Sequence, residues 1–369
     1  MTALATRTGA VNLGQGFPDT DGPPGMLDAA RAAIGEGVNQ YPPGPGRPEL
    51  RAAIAEHRAR FGTRFDPDTE VLVTVGATEA VAASLLALVE AGDEVVLIEP
   101  YYDSYAACVA LAGATRRVVS LVEDRAAGRF ALDVAALRAA IGPRTRVLLL
   151  NSPHNPTGTV LTRDELAEIA RLCVEHDLVA VTDEVYEDLV YDEAEHVPLC
   201  TLPGMAERTL TISSAGKMFN CTGWKIGWAC GPAELVAAAR AAKQFLTFVG
   251  GAPFQPAIAY ALRNEADWVA GLRRDLCAKR DRLRAGLAEA GFDVWRSQGT
   301  YFVCADVRPL GFTDGAEFCW QLPERIGVAA VPVQVFTDDP GRWRHIVRFA
   351  FCKRDDVLDE AIKRLHKLA

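Results

Sequence analysis

A chain of 369 residues with a formal net charge of −9 has length for about two domains, and it lacks the clustered Lys/Arg that neutralises a phosphate backbone, which argues against nucleic-acid binding. Its longest apolar runs, in EVVLIEP and RVLLLN, are strand-length and far below the ~20 residues a membrane span requires. The opening MTALATRTGAVNLGQG has no apolar core of signal-peptide length, and nine cysteines without a CxxC pair suit reduced core thiols, so the expected compartment is the cytoplasm.

From Val71 to about Gly231, β-rich runs alternate with helical patterns, the signature of a mostly parallel sheet covered by helices. The strand candidates are VLVTV, EVVLIE, RRVVSL, RVLLLN, LVAVTDE, TLTISS and IGWACG. Asp133 is expected to cap the helix that follows it, and Thr162 with Glu165 three residues on forms a capping box. After about Asn264 the pattern changes to a long charged helix through Glu289, then FDVWR, TYFVCADV, a helix near Asp314 to Arg325, HIVRFAF and a final helix. This predicts an α/β protein with a large domain over 37–265, built on a seven-stranded sheet, and a smaller α+β domain from 1–36 and 266–369.

Several chemistries fall away on spacing. NLGQGFPD lacks the third glycine and the preceding strand of a dinucleotide fingerprint, SSAGKM lacks P-loop spacing, no GxSxG elbow occurs, and the six histidines show no metal spacing. Four segments stand out because each ends a predicted strand, where open α/β sheets place ligands: VGATEA, NSPHNPTG, DEVYE and SSAGK. Together they offer helix-start amides with a hydroxyl, a side-chain amide, a carboxylate with a phenol, and an amine with serines. Lysine is otherwise scarce, seven against thirty-two arginines, and the first two are Lys217 and Lys225 in TISSAGKMFNCTGWKIGW. A cofactor with a phosphate, a phenolic oxygen, a ring nitrogen and an aldehyde would use this whole set, and pyridoxal 5′-phosphate has them all.

In order, NLGQGFPD, NQYPPGPGRPELR, NSPHNPTG, TDEVYE, SSAGKMFNCTGWKIGW and RFAFCK resemble the motifs of fold-type-I, class-I aminotransferases of the kynurenine/glutamine/methionine group. Among these, the chain is most similar in character to actinobacterial N-succinyldiaminopimelate aminotransferases. The resemblance implies a pyridoxal phosphate enzyme that moves an amino group between an L-amino acid and a 2-oxo acid, with 2-oxoglutarate/glutamate as the common pair and N-succinyl-L,L-diaminopimelate as one donor. Kynurenine-, glutamine- or methionine-type transamination and cysteine-S-conjugate β-elimination use the same residues. A passive regulatory domain fits poorly, because no helix-turn-helix extension is present.

The resemblance also assigns roles. Lys217 would bond the cofactor aldehyde and carry a proton between the substrate Cα and the cofactor. Asp183 would hold the pyridine nitrogen, Tyr186 and Asn155 the phenolic oxygen, and Tyr102 the ring face. Ala77, Thr78, Ser214 and Lys225 would take the phosphate. Arg348 would clamp the substrate α-carboxylate, assisted by Asn151 and Gly16. Tyr41 would reach the phosphate in a neighbouring subunit, which makes the expected state a homodimer with shared sites. Two departures are expected to matter. Only Met1 to Ala10 precede VNLGQG, where the group carries a longer arm over the pocket, and Gly250 and Gly251 stand where bulky residues would, suggesting either room for a long donor near Lys243 or a flexible turn.

Overall fold

A computed structural model describes residues 1–368. The seven expected strands form one sheet: β1 (Val71–Val75), β2 (Glu94–Glu99), β3 (Thr115–Ser120), β4 (Thr145–Asn151), β5 (Val179–Asp183), β6 (Thr209–Ser214) and β7 (Ile226–Cys230). Their order is β1-β7-β6-β5-β4-β2-β3, with β7 antiparallel to both neighbours and every other pair parallel. Helices cover both faces, so β2, β5, β6 and β7 are buried almost throughout and their sequences are apolar runs rather than alternations. Because β1, β4, β5 and β6 run the same way, their C-terminal ends share one edge.

The two expected caps are present. The Asp133 side chain accepts from the Ala136 amide, and Thr162 and Glu165 form the reciprocal capping box. Downstream, β8 (Asp293–Val294), β9 (Phe302–Asp306), β10 (Val331–Pro332) and β11 (Ile346–Ala350) make a four-stranded antiparallel sheet in the order β8-β9-β11-β10. Val11–Asn12 pairs in parallel with Val328–Ala329 and so joins this smaller unit. The helix Pro24–Gly35 packs elsewhere: its Met26 and Ala30 share a core with Trp228 of β7 and Ile258 of the helix Phe254–Asn264. Packing therefore puts that helix with the large sheet, although the sequence division gave all of 1–36 to the small domain. Short apolar helices with similar patterns look alike until their partners are known.

The two units also share core. Cys304, Val333, Trp343 and Ile346 pack with Leu148 and Leu150 of β4, and the Phe130 ring meets Trp295 and Trp343 at centroid distances of 4.5 and 5.0 Å. This seats the smaller sheet over the C-terminal edge of the larger one. Among the described residues no helix is long and apolar enough to cross a membrane.

Candidate active site

A cleft of about 510 Å³ opens between the two sheets at that edge. Every residue expected to hold the cofactor or the α-carboxylate lines it except Tyr41. The parallel register explains the floor, since Asn151 and Asp183 are direct neighbours at the ends of β4 and β5. Asn151 Nδ2 donates to the Asp183 carbonyl at 2.8 Å, and its Oδ1 accepts from the Asn155 amide at 2.7 Å. Asn155 Oδ1 in turn accepts from Arg348 Nη1 at 2.8 Å. An unbroken polar chain thus links β5 to β11.

Asp183 is buried, and its carboxylate accepts the Tyr105 hydroxyl at 2.5 Å and the Val185 amide at 3.3 Å. Burial raises its pKa above the ordinary value, against the pull of Tyr105, Val185 and the Lys217 charge. It is an acid held without a full counter-charge, ready for a cationic N–H. Tyr105 escaped the sequence reading; it lies in the first turn of the helix Ser104–Leu111, its amide donating to the Tyr102 carbonyl at 2.9 Å. Of the tyrosine pair in EPYYDSY, Tyr102 faces the cleft while Tyr101 turns away and donates to Asp338.

One end of the cleft is built for an anion. The helix Gly76–Leu88 starts there without a side-chain cap, presenting Ala77 and Thr78 in its first turn. Gly76 has φ +77°, and a Cβ on it would lie 2.9 Å from Lys225 Nζ, so the glycine makes room for that ammonium beside the helix start. Lys225 itself holds a left-handed backbone, φ 56°, an unusual conformation for a lysine that aims the chain back at the helix. Ser214, ending β6, completes this end.

Lys217 sits in the short helix Ala215–Met218, its Nζ 5.8 Å from the Tyr186 ring centre and 5.7 Å from that of Tyr301. Burial lowers its pKa, with Lys225 and Arg348 pushing the same way and Cys352 and Asp183 opposing. The neutral, nucleophilic amine is therefore more accessible than in an exposed lysine. Burial also drives the Tyr186 phenol upward, so it stays a neutral hydrogen-bonding group.

Arg348, from β11, reaches in from the small sheet. Besides Asn155 it donates from Nη2 to the Gly14 carbonyl at 3.1 Å, while the Tyr301 hydroxyl donates to the Gly16 carbonyl at 2.6 Å. Its Nε is buried without a partner, and burial lowers its pKa. A buried guanidinium with a spare in-plane donor is a carboxylate site in waiting.

Among the described residues no open donor pocket forms at Gly250 and Gly251; Gly250 and Lys243 border only a closed crevice. Neither glycine lines the cleft; a Cβ on Gly250 would lie 2.7 Å from Val75 Cγ2, and one on Gly251, at φ +64°, 2.2 Å from Ile226 Cδ1. Close packing and a left-handed turn account for both. Lys243 is likewise engaged, buried with its Nζ on the Phe248 carbonyl at 2.5 Å. Tyr41 lies outside the cleft, 81% exposed, with its ring edge-on to Phe248. The N-terminal residues do contribute: Met1 lines the cleft, and Thr2 Oγ1 accepts from Gln15 Nε2 at 2.6 Å.

Beside the cleft lies a second charged cluster that spacing alone could not show. Arg58, fully buried, donates to Glu187 and, at 2.8 Å, to Glu184; His57 bonds Glu187 and His196 bonds Glu184, each at 3.0 Å. The histidine and carboxylate atoms are close enough to hold a metal, but the Arg58 guanidinium already supplies the cation.

Fold and cleft together define an enzyme of amino-group transfer, with amine, acid and guanidinium converging from separate elements on one cavity. The chain belongs to the class I and II aminotransferases, whose family pattern it matches over residues 8–365. It is 65% identical, over 100% of its own length and 95% of the relative's, to a Mycobacterium tuberculosis protein named a probable N-succinyldiaminopimelate aminotransferase. It is 37% identical to the methionine aminotransferase of Escherichia coli, over 100% of this chain and 94% of that one. The solved M. tuberculosis N-succinyldiaminopimelate aminotransferase superposes with a TM-score of 0.98 at 66% identity, covering 100% of this chain and 96% of that one. The family implies pyridoxal phosphate, and the residues present fit it: an uncapped helix start with an ammonium for phosphate, and a buried acid for a ring nitrogen.

Proposed function

We propose that this aminotransferase works with pyridoxal 5′-phosphate on N-succinyl-L,L-diaminopimelate and 2-oxoglutarate. The observation that carries the cofactor assignment is the convergence of Lys217, Asp183 and Arg348 on one cleft. Asp183 would hold the ring nitrogen, Asn155 and Tyr186 the phenolic oxygen, Tyr102 the ring face, and Ala77, Thr78, Ser214 and Lys225 the phosphate. When bound, the cofactor supplies an aldehyde that takes up the amino group and a ring that draws electrons from the substrate Cα. Lys217, with its lowered pKa, would be the residue that holds that aldehyde and would carry the proton at the substrate Cα. Arg348, with Asn151 and the Gly16 segment, fixes the α-carboxylate so that the Cα proton points at the lysine. Borohydride reduction followed by peptide mapping tests this: the pyridoxyl label belongs on Lys217, and a label on another lysine overturns the assignment.

The substrate proposal rests on the 65% identity to the M. tuberculosis relative. One observation favours a second reading. Among the described residues the only cationic side chains lining the cleft are Lys217, Lys225 and Arg348, while Phe17, Phe302, Phe336 and Val331 give it apolar walls. An apolar donor such as methionine suits those walls, and a succinyl carboxylate would need a cation from a second copy or open water. Single-turnover rates with N-succinyl-L,L-diaminopimelate, methionine, glutamine and kynurenine decide: the succinylated donor should be fastest, and a methionine preference would favour the second reading.

A second copy is part of the proposal. Tyr41, Phe245, Leu246 and Phe248 expose an apolar face on the large domain, 81, 87, 45 and 42% exposed, which a homodimer would cover while carrying Tyr41 to the partner's site. Light scattering should return twice the chain mass. The proposed compartment is the cytoplasm, which suits nine cysteines that are all unpaired.

A further inference from the structure

A strap from the small domain crosses the open edge of the large sheet beside the cleft. It runs between β10 and β11, through the turn Val333–Phe336 and the short helix Pro340–Trp343, and its contacts fall on β2, β3 and the loop after β2. The Tyr101 amide donates to the Phe336 carbonyl at 2.8 Å, and the Asp338 amide donates to Glu99 Oε2 at 2.8 Å. The Asp338 carboxylate accepts from the Tyr101 hydroxyl and from Arg116 Nε, the latter at 2.7 Å. Further along, Trp343 Nε1 donates to Ser120 Oγ at 2.9 Å.

Phe336 is the point where the strap meets the cleft. The Arg348 guanidinium carbon lies 5.0 Å from its ring centre and 4.0 Å from that of Phe302. Among the described residues no acidic side chain pairs with Arg348, so these rings are what it has in place of a counter-ion. An aromatic face stabilises a desolvated cation and leaves the guanidinium edge, where the N–H donors are, open to a planar anion. We propose that Phe336 is a positioning residue for the carboxylate clamp, and that Asp338, through Tyr101, Arg116 and Glu99, holds it in place. This rests on Arg348 being the clamp. Every amino-acid and oxo-acid substrate shares the α-carboxylate, so loosening the strap should weaken all of them alike.

The test is calorimetric titration of the holoenzyme with maleate, an unreactive carboxylate, together with KM and kcat for one donor and 2-oxoglutarate. Phe336→Leu should raise the maleate Kd about fivefold to thirtyfold, the span from an exposed to a desolvated cation–π contact. Phe336→Tyr, which keeps the ring, should restore it. Tyr101→Phe and Asp338→Asn should each raise it about twofold to fivefold, as loss of one supporting hydrogen bond would. KM should rise for donor and acceptor together, with kcat and cofactor affinity held. A fall in melting temperature with an unchanged maleate Kd would make the strap merely structural and overturn the proposal. Arg348→Lys separates the two levels. If it weakens maleate binding and Phe336→Leu does not, only this inference falls; if Arg348→Lys binds maleate normally, the clamp assignment falls first.

Discussion

Asp183 and Glu184 are consecutive residues that serve opposite purposes. Glu184 joins Arg58, Glu187, His57 and His196 in a cluster whose charges answer one another, with Ser213 Oγ adding a bond to Glu187 at 3.2 Å. Asp183 faces a cleft where, among the described residues, Lys217 and Arg348 have no acidic hydrogen-bond partner and a helix start has no side-chain cap. The pKa directions register the difference. Burial is the largest influence on both carboxyls and pushes each upward, yet Glu184 ends below the ordinary value because Arg58 and His196 outweigh it, while Asp183 ends above. Where the counter-charge is built into the chain, buried ions hold the fold; where it must arrive with a ligand, they form a site.

Replacing the central cation on each side should break the two regions in opposite ways. Lys217→Ala should lower turnover by more than about a thousandfold, the loss of nucleophile and base at once, while the urea midpoint stays put or rises. Arg58→Met should do the reverse. It strands two buried carboxylates, so the stability loss should be about 3–5 kcal/mol, read from urea unfolding, with turnover per folded enzyme little changed. Should Arg58→Met abolish turnover in folded protein, the two clusters would not be separable.

How much of this was legible in the sequence follows the same line. Asp183, Asn155 and Lys217 each sit at or just beyond a strand end inside a local motif, and parallel-sheet geometry gathers such ends at one edge, where Lys225 joins them just before the start of the antiparallel β7. The Arg58 cluster was invisible, since its members lie on the helix Pro48–Ala59, after β5 and near position 196, brought together only by packing. Phe302, Phe336 and the Gly14 carbonyl around Arg348 were missed for the same reason. Gly250 and Gly251 misled, because a glycine pair signals either space or a backbone need, and only the left-handed φ of Gly251 and the nearness of Val75 and Ile226 decide between them.

A smaller effect sharpens the contrast on the ligand side. Arg348→Lys keeps the charge and loses the two parallel donors, so substrate affinity should drop by about 1.5–3 kcal/mol while cofactor binding is spared. Substrate Kd from single-turnover titration measures it, and normal binding would place the clamp elsewhere. On the structural side the probe is acid. The Glu187 carboxyl is lowered from 4.5 to about 2, against burial, by Arg58 and the two histidines. A depressed folded-state value stabilises fully above the unfolded value, so this contribution is complete above about pH 4.5 and is lost as pH falls toward 2. Urea midpoints between those values should fall steeply in the native chain and more gently in Glu187→Gln. Equal slopes would remove Glu187 from the acid response.

The smallest expected effect concerns Gly251, which belongs to neither cluster but packs against Ile226 of the cleft lining. Alanine there must keep φ +64° and push aside Ile226, whose Cδ1 would stand 2.2 Å from the new Cβ. A non-glycine residue in the left-handed region costs about 1–2 kcal/mol, and part of that can be relieved by turning the flexible end of Ile226. Ile226 lines the cleft, so a modest loss of turnover is expected as well. That loss should be the same for N-succinyl-L,L-diaminopimelate, methionine and glutamine, because a displaced Ile226 disturbs the common floor rather than space reserved for a long side chain. A selective loss of the succinylated donor would mean that this turn shapes a donor pocket after all, completed by a second copy, and the assignment of both glycines to the backbone would have to be withdrawn.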